Sequence, residues 1–124
     1  MLGAVALDAG YATAGFGKLS GGGTEKPETI TGYGFDYWLG FLGHIDCRDY
    51  YPHFIWENGV QIELPENKPE LLKGTIIPYN KNTSGGVVGA DRGIFSENLY
   101  TDKAIEFMET NVAADKPFFI YFAK

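Results

Sequence analysis

The apolar run at residues 118–123, with the sequence FFIYFA, constrains the fold more than any other feature of the chain. A strand without polar side chains is typical of a position buried on both faces, and such positions occur mainly in parallel sheets covered by helices. Asp115-Lys116-Pro117 predicts a turn before it, and a helical pattern precedes the turn. A helix that leads into a doubly buried strand favours an α/β fold.

That helical pattern begins near Ser96, a suitable N-cap residue, and continues to about Asn111. Five side chains recur at the spacing of one helix face: Thr101, Ala104, Ile105, Met108 and Val112. We expect this face to pack against the core, so its residues are not candidates for a functional site.

At the other end of the chain, residues 1–9 predict the last turns of a helix that ends at Gly10, because glycine accepts the left-handed conformation of a helix C-cap. Residues 11–16 predict a short buried strand, followed by a Gly-x-Gly turn and Lys18. Ligands of α/β sheets bind at the carboxyl ends of strands, so this position suits an ammonium group that binds an anion. A solvated loop lysine is the alternative interpretation.

Two further structured segments are predicted in the middle of the chain. Residues 34–42 are densely aromatic and flanked by glycine, which favours a buried extended segment. Apolar runs at 54–56 and 60–64 flank Asn58-Gly59. This dipeptide predicts a β-hairpin, because both of its residues accept a positive φ.

Residues 19–31 and 65–96 are rich in glycine, proline and polar residues and predict loops. The second is long enough to indicate a surface excursion or a functional loop. The sequence stops at Lys124, directly after the predicted buried strand, without a helix to cover the second face of that strand. We therefore expect the chain to be an internal piece of a larger domain.

Composition excludes several classes of protein. The 124 residues fit within one domain, and a net charge of -6 disfavours nucleic acid as a partner. A single cysteine, Cys47, excludes an internal disulfide framework. No stretch approaches the roughly 20 apolar residues that a membrane span needs, so no membrane partner is predicted, and the N-terminus does not resemble a signal peptide.

One segment concentrates groups that could carry chemistry. Residues 43–53 (GHIDCRDYYPH) hold two histidines, two aspartates and one thiol. A metal site is one interpretation, but the ligand spacing does not match the tight pairs of local zinc sites, and a polar surface loop is the alternative. Cys47 as a nucleophile activated by Arg48 and a histidine is a further possibility, against a structural thiol.

The pair Gly17-Lys18 also invites comparison with a phosphate-binding loop. That motif requires glycine five residues before Gly17 and serine or threonine after the lysine. Ala12 and Leu19 occupy these positions, so the nucleotide-binding interpretation fails at both.

Six segments together, in their order and approximate spacing, resemble the type I sulfatase family. They are Gly10-Tyr11-x-Thr13 with Gly17-Lys18, Gly34-Phe35-Asp36-Tyr37, Tyr50-Tyr51-Pro52, Trp56-x-Asn58, Thr101-Asp102-Lys103-Ala104-Ile105-x-Phe107, and Lys116-Pro117-Phe118-Phe119-Ile120-Tyr121. The resemblance implies an internal segment of an alkaline-phosphatase-like α/β sandwich with a large mixed sheet. It divides the chain into a helix end and strand with Gly-Lys (1–18), a loop-rich insert with a hairpin (19–98), and a helix with a buried strand (99–124).

The resemblance also implies an activity. Members hydrolyse sulfate esters with a formylglycine nucleophile, made from the cysteine of a Cys-x-Pro-Ser-Arg motif, and with a calcium ion held by Asp and Asn side chains. The family's Gly-Lys lysine contacts the sulfate, which gives Lys18 a catalytic and substrate-binding role. Arg48, where relatives carry a different pocket residue, and His44 are the other implied substrate-binding residues, and Arg48 favours an anionic sugar. The region of residues 50–56 is expected to form part of the pocket wall. The implied partner is a sulfated small molecule or glycan.

The sequence departs from the family pattern at functional positions. Lys18-Leu19-Ser20 replaces a frequent Lys-Trp-His, which removes a second cation near the sulfate. Cys47 lacks the Pro-Ser-Arg of the modified cysteine. In the family's order, the nucleophile and the metal ligands lie outside this segment, so we expect the isolated chain to be inactive.

Two other functions stay open. A phosphodiesterase or phosphonate hydrolase uses the same scaffold, and a small α/β binding module without catalysis would belong to a different class. The cellular location is also open, although members of the family are usually exported or lysosomal.

Overall fold

A computed structural model describes residues 2–19, 31–43, 50–67, 75–77, 86–88 and 93–123. The helices are α1 (Leu2–Asp8) and α2 (Ser96–Ala113), and short 3-10 helices cover Thr31–Tyr33 and Pro65–Asn67. The strands are β1 (Ala12–Lys18), β2 (Tyr37–Phe41), β3 (Tyr51–Pro52), β4 (Phe54–Glu57), β5 (Val60–Glu63), β6 (Thr75–Ile77), β7 (Gly86–Val88) and β8 (Phe118–Ala123).

The main sheet has the strand order β5-β4-β2-β1-β8. Strand β1 pairs in parallel with both β2 and β8, whereas β4 and β5 join in antiparallel fashion, so the sheet is mixed. A separate small sheet has the order β3-β7-β6. The predicted α/β class with a mixed sheet is confirmed, and the architecture is consistent with part of an alkaline-phosphatase-like fold.

The strand that is buried on both faces is β1, not β8. Residues 12–17 are all buried, because β1 lies between two parallel neighbours and contacts both helices. Strand β8 is half-buried along most of its length, and Tyr121 is 40% exposed, because β8 lies at the edge of the described sheet. The prediction from the apolar run was therefore right about the strand but wrong about its burial.

Small residues in β1 permit a close approach of neighbouring backbones. An added Cβ at Gly17 would lie 1.9 Å from the carbonyl oxygen of Ala123, and one at Gly40 would lie 1.8 Å from that of Gly17. Gly17 also has a φ of 91°, which L side chains rarely adopt. The predicted turn at Gly15-x-Gly17 was wrong, because the strand continues through Gly17 to Lys18.

Helix α1 ends as the sequence predicts. Gly10 has a φ of 85°, and its N–H donates to the carbonyl of Leu7. The N–H of Tyr11 donates to the carbonyl of Ala6, which completes a Schellman motif. The reversal leads directly into β1 at Ala12.

Helix α2 differs from its prediction at both its start and its buried face. Phe95 occupies the N-cap position without a side-chain cap, and Ser96 is instead the first helical residue. Of the predicted face only Ala104 is buried, whereas Ile105 and Val112 are 44% and 69% exposed. The buried residues of this helix are Ser96, Tyr100, Ala104 and Asn111. The rotation arises because the large ring of Tyr100, which hydropathy ranks as semipolar, occupies the core in place of the aliphatic residues.

Two hydrophobic clusters cover the two faces of the sheet. The larger contains Phe16, Leu39 and Phe41 and packs against Tyr100 and Ala104 of α2. The smaller consists of Leu19, Trp38 and Leu42, with Tyr33, Phe35 and Trp56 partly buried against it. Trp38 and Leu39 are neighbours in β2 but belong to different clusters, as the alternation of a strand requires. The predicted buried segment at 34–42 is thus confirmed for β2.

The hairpin of β4 and β5 is also confirmed. Asn58 and Gly59 have positive φ values of 49° and 84°. Asn58 has a second role, since its Oδ1 accepts the N–H of Trp38 at 2.8 Å and its own N–H donates to the carbonyl of Trp38 at 2.9 Å. The turn residue therefore attaches the hairpin to β2.

The prediction of an unstructured loop over residues 65–96 was wrong. This stretch contains β6 and β7, which pair with each other, and β7 also pairs with β3. Its first part is held by Asn67, which is fully buried. The Asn67 amide donates to the carbonyls of Pro52 and Ile94, both at 2.9 Å, and accepts the N–H of Ile94 at 2.7 Å. One side chain thus joins three separate segments.

We predict that Gly40→Ala destabilises the protein by at least about 2 kcal/mol, because the new methyl group would overlap the backbone of Gly17 and force the strands apart. Chemical denaturation would measure the change. Gly32→Ala is the matched control, since an added Cβ at Gly32 has no neighbour within 4 Å. Equal stability of the two variants would contradict the close approach.

We predict that Asn67→Ala lowers the free energy of unfolding by about 3 kcal/mol, because it leaves the buried polar atoms of Pro52 and Ile94 without their partner. Asn98→Ala, at an exposed position of α2, should be neutral or slightly stabilising, because alanine favours helix. Denaturation of both variants checks this, and a neutral Asn67→Ala would argue against the three-way junction.

Candidate functional site

The carboxyl ends of three parallel strands, β1, β2 and β8, meet at one side of the sheet, which we call the carboxyl edge. Helix α2 runs in the opposite direction, because it ends at Ala113 and β8 starts at Phe118 beside the amino end of β1. The first turns of α2 therefore lie at the carboxyl edge. The contact between the rings of Tyr100 and Phe41, with centroids 6.3 Å apart, is consistent with this placement.

Lys18 is the last residue of β1 and is opposite Phe41 of β2 at the carboxyl edge. It belongs to the strand itself rather than to a loop after a turn. Its side chain is half-buried and forms no ion pair or hydrogen bond with another described residue. A partly desolvated ammonium group without an anionic neighbour among the described residues is chemically suited to bind an anionic ligand.

Three aromatic side chains form a cluster beside the start of α2. The ring centroid of Phe95 lies 5.7 Å from that of Tyr50 and 5.6 Å from that of Tyr51, at tilts of 34° and 44°. The backbone carbonyl of Tyr50 accepts the N–H of Ser96 at 3.0 Å, which joins this cluster to the first turn of α2. Tyr50 is 46% exposed, so one ring of the aromatic cluster is open to solvent.

The other predicted site residues cannot be placed beside Lys18. His44 and Arg48, predicted to bind substrate, and Cys47 lie outside the described residues. His53 is described, and its Nε2 is buried without a hydrogen-bond partner among the described residues. A single histidine of this kind is not a metal site.

A metal ion requires several convergent ligands, and the described ranges contain no group of three or more His, Cys, Asp or Glu side chains that could hold one. These residues do not fit the calcium ion that the family resemblance implies. Among the described segments, no helix combines the length and the apolar character needed to cross a bilayer.

Several residues of the family-like segments serve the fold. The Oδ2 atom of Asp36 accepts the backbone N–H of Thr13 at 3.0 Å, and the Thr13 hydroxyl accepts the N–H of Asp36 at 2.9 Å. This reciprocal pair fixes the amino ends of β1 and β2, far from the carboxyl edge. The sequence singled out Thr13 and Asp36 but not their structural role, and it predicted Asn58 as a turn residue but not its bonds to Trp38. It gave no signal for Asn67 or for the contact of Phe95 with Tyr50 and Tyr51.

A cleft of about 380 Å³ lies between α2 and the strands β2 and β4, lined by Tyr37, Glu57, Lys103, Glu106, Phe107, Thr110 and Asn111. The Tyr37 hydroxyl donates to Glu57 at 2.6 Å, and Lys103 pairs with Glu106 at 2.8 Å. Burial, the Glu57 hydrogen bond and the Glu57 charge raise the pKa of Tyr37 well above its ordinary value. Lys103 and Glu57 thus already have partners, whereas Lys18 forms no ion pair with a described residue.

No curated protein matches the chain. A family model described as Sulfatase matches residues 1–124. The match agrees with the α/β architecture and with the segments that resemble this family. Because it spans the whole printed sequence, the chain belongs to the sulfatase family, and a sulfatase-type hydrolase is the activity that membership supports at the level of the family.

Proposed function

We propose that the chain is a segment of an enzyme that hydrolyses sulfate esters of sugars or aryl groups, and that Lys18 binds the sulfate group of the substrate. The observation that carries this proposal is the half-buried Lys18 at the carboxyl edge, without an ionic partner among the described residues. Ligands of open α/β sheets bind at the carboxyl ends of strands, which is where this lysine lies.

The net charge of the chain also affects how a sulfate group can bind. A net charge of -6 repels a sulfate ester over most of the surface, so a sulfate group needs a local cation. When the S–O bond of the ester breaks, its electron pair goes to the leaving oxygen, where negative charge develops. An ammonium group that is already positioned stabilises this charge more in the transition state than in the ground state.

Other parts of the chain would form the pocket around Lys18. We propose the region of residues 50–56, which includes the exposed ring of Tyr50, as part of the pocket wall. Arg48 and His44 are proposed as further substrate-binding residues, with Arg48 favouring a substrate that carries a second negative charge. The support for these two residues is the family resemblance of the sequence around them.

The nucleophile and the calcium ion of the family are proposed to be supplied by residues other than those described. After Cys47-Arg48 the chain reads Asp49-Tyr50-Tyr51, where the Cys-x-Pro-Ser-Arg motif of the modified cysteine has Pro-Ser-Arg. In the family, the formylglycine would supply the nucleophilic oxygen and the calcium ion would supply Lewis acidity. The role proposed for Lys18 is confined to binding the sulfate and stabilising its charge.

Replacement of Lys18 by alanine in the protein encoded by the complete reading frame should lower kcat/KM for 4-methylumbelliferyl sulfate by on the order of 10²-fold or more. The assay is fluorescence release in the presence of calcium. Lys116→Ala is the matched control, because Lys116 is exposed and lies at the opposite edge of the sheet.

An unchanged rate for Lys18→Ala would remove this residue from the site. Faster hydrolysis of a phosphodiester or a phosphonate than of any sulfate ester would instead favour the related hydrolases of this scaffold. Binding of a ligand without turnover of any ester would favour a non-catalytic module.

The chain of residues 1–124 on its own should release no product from an aryl sulfate, with or without calcium, because it has no cysteine in a Cys-x-Pro-Ser-Arg pattern. The measurement is product release after long incubation of folded material, verified by circular dichroism. Turnover by this chain alone would show that the nucleophile lies within it.

A further inference from the structure

We propose that the aromatic cluster of Tyr50, Tyr51 and Phe95 is the surface on which the uncharged ring of the substrate stacks while Lys18 holds its sulfate. This inference rests on the proposed function and extends it to substrate specificity. It assigns contact with the ring of the ester, whether an aryl group or a hexose, to Tyr50 and its aromatic neighbours.

The aromatic cluster lies beside the start of α2. The cluster begins at Tyr50, whose carbonyl accepts the N–H of Ser96, and it includes Phe95 immediately before α2. One turn further along this helix, Tyr100 contacts Phe41, the residue opposite Lys18. The cluster and the lysine therefore share the carboxyl edge of the sheet.

The cluster is also held in place before a ligand binds. Fully buried Asn67 bonds to the backbone of Pro52 and of Ile94, which flank the two parts of the cluster. The bond from Ser96 to Tyr50 adds a second connection between the same two segments. A preorganised aromatic surface loses little conformational entropy when a ring stacks on it.

Charge separates the roles of the cluster and the lysine. The face of an aromatic ring carries the negative part of its quadrupole, so it repels a sulfate but attracts the C–H groups of a sugar face or the edge of an aryl ring. A sulfate ester thus has one part for each surface: the anionic group for Lys18 and the neutral ring for Tyr50, which is 46% exposed. An acyclic alkyl sulfate would use only the first.

The test compares Tyr50→Ala with Tyr50→Phe and with Tyr11→Ala in the protein from the complete reading frame. Tyr11 is 41% exposed but precedes β1 at the opposite edge, which makes it a matched control. The measured quantities are kcat and KM for 4-nitrophenyl sulfate and for a hexose monosulfate, and the inhibition constant of inorganic sulfate, which has no ring.

We expect Tyr50→Ala to raise KM for the ring ester by roughly 3- to 10-fold, the range that corresponds to a lost aromatic contact. The inhibition constant of inorganic sulfate and kcat should change little, and Tyr50→Phe should restore KM because it keeps the ring. Lys18→Ala, by contrast, should also raise the inhibition constant of inorganic sulfate. If Tyr50→Ala raises KM more for 4-nitrophenyl sulfate, the preferred ring is an aryl group. If it raises KM more for the hexose monosulfate, the preferred ring is a sugar.

An unchanged KM for both ring esters in Tyr50→Ala, with kcat/KM still strongly lowered in Lys18→Ala, would overturn the stacking surface and leave the proposed function intact. An equal increase in the inhibition constant of inorganic sulfate for Tyr50→Ala would also overturn it, since this result would show a general disturbance of the site. If the wild-type protein hydrolyses no sulfate ester, the proposed function fails and the stacking surface fails with it.

Discussion

Close contact between the backbones of three neighbouring strands organises this structure. At Gly17 the central strand leaves no space for a side chain beside Ala123, and at Gly40 the next strand leaves none beside Gly17. Lys18 follows at once, in register with Phe41. The same contact that closes the sheet therefore sets where the one candidate anion-binding lysine emerges, because a shift of either strand would move the end of β1 relative to the first turns of α2.

Polar side chains complete what the close contact begins. Thr13 and Asp36 join the amino ends of β1 and β2, Asn58 attaches the hairpin to β2, and Asn67 joins the segments that carry the aromatic cluster. In each case a short side chain pairs with backbone groups of a distant segment, and leaving such groups buried without a partner is costly. Residues that look like parts of a functional motif can thus serve the framework that positions the site.

Local signals in the sequence predicted a large part of this fold. Gly10, Asn58-Gly59 and the turn at residues 115–117 each depend on the backbone preferences of a few residues, and the structure contains all three reversals. The buried face of α2 was not predictable in the same way. Tyr100 is buried in the core, where its ring contacts the ring of Phe41, whereas Ile105 and Val112 are exposed despite their hydropathy. The strands β6 and β7 within residues 65–96 were missed because each has only three residues. They pair with each other, and β7 also pairs with the two-residue strand β3, which is distant in the chain.

The fold and the candidate site depend partly on local sequence and partly on tertiary packing. By itself, the sequence determined the helix–strand order, the hairpin, the family and the lysine of the Gly-Lys pair, because these features depend on local conformation or on a recognisable order of residues. Only the tertiary structure decided that β1 rather than β8 is the doubly buried strand, that Lys18 has no ionic partner among the described residues, and that Tyr50 and Phe95 meet at the edge where this lysine lies. Burial, ion pairing and ring contact depend on residues distant in the chain, and their positions follow from how the sheet and α2 pack together.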